Sequence, residues 1–283
     1  MFSITKNEKP LDKNLYDINL KNRTFSTKES GLILDFSSEY DWTFKTGNGC
    51  TFKTGNDCVF IAKDDCKFIT GSNCTFKTDN NCSFITGSNC TFNTNIDCTF
   101  NTNIDCVFNT GSNCTFTTED DCTFTTRNRC KFNTQENCYF ETGNNCTFIT
   151  KQGCNFSTGN NCNFTTENNC TFSCSTFCTF TTQDNCTFTT LWECTFNTSS
   201  HCDFISGWEC TFNTSNNCNF NCDWNCKFNV GERCTFRTGW SCTFMCEEKC
   251  ICIRDDIYEV IMIPKKQKIK LNNRDVKGYT LCF

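Results

Sequence analysis

The sequence predicts an all-β fold, a parallel β-solenoid (β-helix) capped at both ends, on three observations. From Cys50 to Cys250 a cysteine falls on every eighth residue. A phenylalanine follows two places after almost every one, from Phe52 to Phe244. Each Cys-x-Phe-x-Thr segment is trailed by a cluster of Gly, Asn, Asp or Ser. With Cys numbered 1, Phe is position 3, Thr usually position 5, and the turn-forming cluster spans positions 6 to 8. Fixed residues at 1, 3 and 5 alternating with variable ones at 2 and 4 have the period-2 pattern of a strand with one buried face. The cluster that follows has turn chemistry. Positions 1, 3 and 5 cannot share a helical face, and β-branched Thr beside turn residues in every octad works against a helix. One strand plus one arc cannot bury its own apolar face, so the units must stack, with each fixed residue forming a ladder.

Contour length bears on how many octads close one coil. Eight extended residues measure about 26 Å, and facing sheets stand about 10 Å apart, so two crossings would leave roughly 3 Å per side. Two octads measure about 53 Å and leave roughly 16 Å per side, enough for a five-residue strand. A 16-residue coil is therefore favoured, with Phe facing Phe across the core and Cys facing Thr. An eight-residue coil with tighter arcs is the rival. At about 4.8 Å per coil the array would be about 60 Å long in the first case and about 120 Å in the second.

Residues 1–33 do not keep the octad and are expected to form an N-terminal cap. Leu11, Leu15 and Ile18 are spaced for one face of a short amphipathic helix after Pro10. Leu34 with Phe36, and Trp42 with Phe44, read as positions 1 and 3 of early octads in which larger residues replace Cys and plug the end. The solenoid is thus expected over residues 34–252. At Cys252 a cysteine stands where Phe should be. Residues 253–283 then read as a C-terminal β cap, with an apolar strand from Ile257 to Ile263 and a closing segment from Tyr279 to Phe283. Lys265, Lys266, Lys268 and Lys270 fit a solvated edge strand protected by lysines, and equally a dock for an acidic partner.

The chain has 31 cysteines and one histidine, His201. A regular eight-residue interval offers no tetrahedral ligand set, so neither a metal nor a cofactor is expected. Position 1 reads as a small, soft, inward thiol packed beside Phe. Cys174, Cys222 and Cys246 instead occupy position 5, which a two-octad coil places against the next position 1. The expected disulfides in an oxidising environment are therefore Cys174 with Cys178, Cys222 with Cys226, and Cys246 with Cys250.

Trp192, Trp208, Trp224 and Trp240 occupy position 7 in alternate octads. In a 16-residue coil they form one column along an arc, a surface for sugar rings or a protein partner. Thr at both positions 2 and 4, as in Thr115 with Thr117 and Thr187 with Thr189, is similar to the arrays of ice-binding solenoids. Lys, Arg, Glu and Asp interrupt those faces, so ice binding is a remote reading. Asn-Cys-Thr triplets such as Asn73 to Thr75 match a glycosylation acceptor, but the repeat generates them automatically. Catalysis has no constellation to rest on: His201 beside Cys202 is the one Cys/His pair, and Asp64, Asp65, Asp120 and Asp121 lie in arcs. The net charge of −5 argues against a nucleic-acid partner. No apolar run is long enough to span a bilayer, and the polar start lacks a signal-peptide core.

The octads NCTFKTD at Asn73 and NCTFITK at Asn145 resemble the octapeptide-repeat β-solenoid proteins of giant viruses and some bacteria. The resemblance covers Trp42 to Cys252 and not the flanks. It implies a rod-like, non-enzymatic protein of viral origin and transfers no catalytic residue. The expected function is that of a structural or interaction protein, a rigid rod in a virion or at a surface with protein or glycan partners. The alternative is a carbohydrate-binding module using the Trp column.

Overall fold

The computed structural model describes residues 2–282, so Met1 and Phe283, the outer ends of the two expected caps, lie outside it. The chain divides into two compact units, one ending at Thr142 and the other beginning at Gly143. Each is a parallel β-solenoid whose coil holds two octads. In the first unit Phe76 pairs in register with Phe60 and Phe92, and Phe84 with Phe68 and Phe100. Alternate octads thus build two separate sheets, and the eight-residue coil is excluded. The second unit follows the same rule, with Phe164 pairing Phe180 and Phe172 pairing Phe188.

The core of each unit is two columns of phenyl rings. Within a sheet the rings stack, as for Phe52 and Phe68 with centres 4.8 Å apart and planes 3° apart. Across the core they meet edge to face, as for Phe52 and Phe60 at 5.3 Å and 74°. In the second unit Phe164 stacks on Phe180 at 4.8 Å, while Phe172 meets Phe180 at 5.2 Å and 74°. The ring quadrupole favours these offset and T-shaped contacts. Residues at positions 2 and 4 of the strands point outward and are mostly exposed.

Most strands are three or four residues long, shorter than the expected five. The reason is that backbone pairing continues around the arcs in non-strand geometry. Thr70 N–H donates to Ile85 O at 3.0 Å, Gly71 N–H to Gly55 O at 3.2 Å, Asn73 N–H to Ser88 O at 2.9 Å and Thr75 N–H to Cys58 O at 2.9 Å. Arc donors therefore find partners in the adjacent coils, as buried backbone groups require. Position 8 explains the turn residues. It is left-handed in octad after octad, as at Asp57 (φ 60°), Asn73 (φ 59°) and Gly153 (φ 72°). Asn, Asp and Gly adopt that region at least cost and hold most of these positions, with Arg129, Glu193 and Lys249 among the exceptions.

Thiols at position 1 do more than fill space. Cys90 Sγ lies 3.5 Å from Ser88 O and 3.7 Å from Gly71 O, and Cys178 Sγ lies 3.5 Å from both Thr176 O and Gly159 O. The inward S–H sits between two arc carbonyls, one of its own coil and one of the coil before.

The N-terminus departs from expectation in two ways. No amphipathic helix forms: Lys13–Leu15 is a single 3-10 turn capped by Asp12, Leu15 is exposed, and Ile18 lies in the Asp17–Asn19 strand of a hairpin with Thr24–Ser26. Three apolar residues are too few to hold a helix against strand pairing to the first coil. The register also moves Leu34 from position 1 to position 3, opposite Phe52, because the first coil is two residues longer than the array predicts. Phe25 opposite Phe44 and Ile33 opposite Thr51 extend the parallel pairing back to Thr24–Ser26 and Leu32–Phe36. Ser3–Lys6 then covers the edge antiparallel to Leu32–Phe36.

Antiparallel strands also close the other end. Glu259–Met262 pairs with Ile251–Arg254, Ile269–Leu271 with Thr243–Cys246, and Tyr279–Leu281 with Ile269–Leu271. Phe116, fully buried between Phe100 and Phe132 at 4.8 Å each, measures the column's worth. Phe116→Ala is expected to lower the unfolding free energy by about 3–5 kcal/mol in urea denaturation, and Phe116→Leu by clearly less.

Candidate functional site

The four tryptophans form the expected column on one arc of the second unit. Trp192 stacks on Trp208 at 5.4 Å, Trp208 on Trp224 at 5.3 Å and Trp224 on Trp240 at 5.8 Å, all within 6° of parallel. In many other octads position 7 carries a polar ladder in which one side-chain oxygen accepts the backbone N–H one coil on. Asn56 Oδ1 accepts from Ser72 N at 2.9 Å, and Asn216 Oδ1 accepts from Glu232 N at 2.7 Å. Indoles replace that ladder with ring stacking. Their faces are spent on one another, each ring is half-buried, and their edges line the surface.

Two residues of the same arc escaped the sequence reading. Phe177 sits at position 8 with φ 58° and is 48% exposed, and Leu191 is 47% exposed. A bulky residue in the left-handed region costs about 1–2 kcal/mol, so the arc exposes an aromatic ring against its own backbone preference. The signal was legible, since Phe177 is a phenylalanine out of phase with position 3.

At the other end the column runs into the C-terminal cap. A cavity of about 270 Å³ is lined there by Trp224, Trp240, Asp223, Asp255, Asp256, Arg274 and Asp275, with Cys222 and Gly239. The Arg274 guanidinium lies over the Trp240 ring, 5.4 Å from its centre. Behind the cavity Arg254 is fully buried. It donates to Asp256 from Nε at 3.1 Å and from Nη2 at 2.6 Å, and to the carbonyls of Asn273 and Val276. Burial pushes the Asp256 carboxyl upward, but the Arg254 hydrogen bonds and charge, together with the Asp275 backbone N–H, outweigh this and hold it below the ordinary carboxylate value. This pair ties the 272–278 loop to the last coil.

Cys174, Cys222 and Cys246 are free, buried thiols, each in side-chain contact with the expected partner Cys178, Cys226 or Cys250. Ladder neighbours compete for those partners, because Cys178 also touches Cys162 and Cys194. Burial pushes Cys174 well above the ordinary thiol value and Cys252 up to about 12, against the opposing hydrogen bond from Thr238. Such thiols are protonated at neutral pH and are weak nucleophiles.

His201 and Cys202 are not brought together: His201 is exposed at a left-handed position 8, while Cys202 points inward to the carbonyls of Gln183 and Ser200. Asp64 and Asp120 accept backbone N–H groups in the arc ladders. Lys265 and Lys266 pair with Glu248 at 2.9 Å and Glu247 at 3.2 Å, which removes two of the four lysines from an acid-docking surface. No group of three or more His, Cys, Asp or Glu among the described residues is arranged to hold a metal ion.

No family model matches the chain, and comparison with the curated proteins and the solved structures finds no match.

The buried pair sets an acid response. A carboxylate whose folded pKa is depressed stabilises the fold fully above its unfolded value, near 3.9, and loses that contribution as pH falls through the folded value. Acidification from about pH 6 to about pH 3 is expected to lower the amide protection factors, referred to the intrinsic exchange rate at each pH, in Ile269–Leu271 and Tyr279–Leu281, and Asp256→Asn to flatten that response. Arg254→Ala, which strands a buried carboxylate, is expected to cost roughly 3–5 kcal/mol in urea denaturation.

Proposed function

We propose that the protein is a non-enzymatic structural or interaction protein, a stiff β-solenoid rod that serves in a virion or at a surface. One observation carries this reading: the residues that repeat are buried, and the residues that vary face solvent. Cys, Phe and Thr at positions 1, 3 and 5 are inside, while positions 2 and 4 carry Thr, Asn, Ile, Lys or Glu outside. The scaffold is held constant and the contact surface is free to differ from coil to coil. Within each unit the bonding from coil to coil supports stiffness, because bending a coil away from its neighbours breaks arc and strand hydrogen bonds together. The likeness of the NCTFxT octads to the octapeptide-repeat proteins of giant viruses supports a viral origin.

The carbohydrate reading draws on the half-buried Trp column. Its weakness is that sugar rings stack on open indole faces, whereas these faces are occupied by neighbouring indoles. Ice binding has its Thr pairs, but charged residues share both faces. The rod reading expects small-angle scattering from the full chain to show a thin, elongated particle, and a compact globular profile overturns it. A glycan array probed with the parent chain and with Trp208→Ala and Trp224→Ala is expected to show no Trp-dependent binding, and a signal lost in both variants would install the carbohydrate reading instead.

The position-5 cysteines fit this role as oxidation-triggered staples. With hydrogen peroxide as oxidant, one thiol of a pair attacks the peroxide oxygen, releasing water and leaving a sulfenic acid. The second thiol then attacks that sulfur and releases a second water. Non-reducing peptide mapping after peroxide treatment is expected to find Cys174 linked to Cys178, Cys222 to Cys226 and Cys246 to Cys250. Links confined to the ladder, such as Cys162 to Cys178, overturn the assignment.

A further inference from the structure

We propose that the cavity at the end of the Trp column is a seat for an alkylguanidinium or alkylammonium cation, and that the chain's own Arg274 occupies its lip as a tethered stand-in. The seat has the two parts such a cation needs, an aromatic face and carboxylates. One face of Trp240 is turned to Trp224 at 5.8 Å, and the Arg274 guanidinium lies over the ring 5.4 Å from its centre. Cations are attracted to indole faces within about 6 Å of the ring centre. Asp223, Asp255 and Asp275 stand around the cavity, and Asp223 is exposed and enters no ion pair among the described residues.

The two neighbouring arginines differ in how they are held. Arg254 is fully buried, doubly bonded to Asp256 and bonded to two carbonyls, so it is part of the framework. Arg274 has the Trp240 face and one loose ion pair, Nε to Asp275 Oδ2 at 3.8 Å, with both side chains about 70% exposed. Exposed pairs of this kind contribute little. Arg274 can therefore leave without loss to the fold, and the cation that replaces it meets the same indole and the unpaired Asp223. The chemistry is shared by a free cation, such as an alkylguanidine or a polyamine, and by an Arg or Lys side chain of a partner peptide. The proposal rests on the Trp arc being a contact surface, but its failure would leave the rod and its other outward positions untouched.

The test titrates agmatine, the peptide acetyl-Gly-Arg-Gly-amide and its neutral counterpart acetyl-Gly-Gln-Gly-amide into the full chain at low salt. Binding is read by calorimetry and tryptophan fluorescence. The parent is expected to bind both cationic probes weakly, in the millimolar range, because a tethered competitor acts at a millimolar effective concentration. Arg274→Gln removes that competitor and is expected to tighten both by about tenfold. Adding Asp223→Asn to Arg274→Gln is expected to reverse the gain about fivefold, and salt near 0.5 M to weaken binding further. Tighter binding of agmatine than of the peptide points to a free cation, and the opposite order to a partner side chain. Three results overturn the proposal: no binding to folded Arg274→Gln at about 10 mM, equal binding of the neutral peptide, or an unchanged affinity after Asp223→Asn. Circular dichroism of each variant confirms the fold, and Arg274→Lys, which keeps the charge, is expected to bind like the parent.

Discussion

One spacing governs each unit. Hydrogen-bonded strands lie about 4.8 Å apart, and the phenyl rings of successive coils stack with centres 4.8 Å apart. Backbone pairing and ring stacking therefore ask for the same rise, and neither strains the other. Any side chain at a given position meets its own equivalent one coil away. Phe becomes a stack, Asn and Ser become oxygen ladders, Trp becomes an indole column, and Cys becomes a file of thiols.

The same constraint explains the choice of residues between the ladders. A coil of two octads must turn sharply twice, and each turn is completed by a left-handed residue, which Asn, Asp and Gly supply at least cost. The thiol at position 1 suits the corner because it is small, packs against Phe, and places a weak donor between arc carbonyls. The ends cannot be repeats, because a terminal coil would present a row of unpaired strand groups. Antiparallel strands close both of them.

The ladder rule is broken or redirected in places, most of all in the arc of the second unit. Indoles displace the position-7 oxygen ladder, Phe177 is held exposed in a left-handed turn, and the column ends under Arg274 in a cavity with acidic walls. These features share one edge, while the sheets beside them remain regular.

The sequence by itself determined the solenoid and the inward set of Cys, Phe and Thr, because each follows from a period that repeats often enough to admit one solution, while the Trp column and the adjacency of positions 5 and 1 hold only for a coil of two octads. It misled where the period stops. Leu34 was counted on the octad beat although the first coil is two residues longer, and Leu11, Leu15 and Ile18 imitate a helical face that the strands override. Only the tertiary structure decided that two octads close a coil, that the indole faces are spent on one another, and that Asp223, Trp240, Asp255 and Arg274 line one cavity. Those outcomes depend on contacts between residues sixteen or more apart, several of them in an end segment that keeps no period, and local pattern carries no record of such contacts.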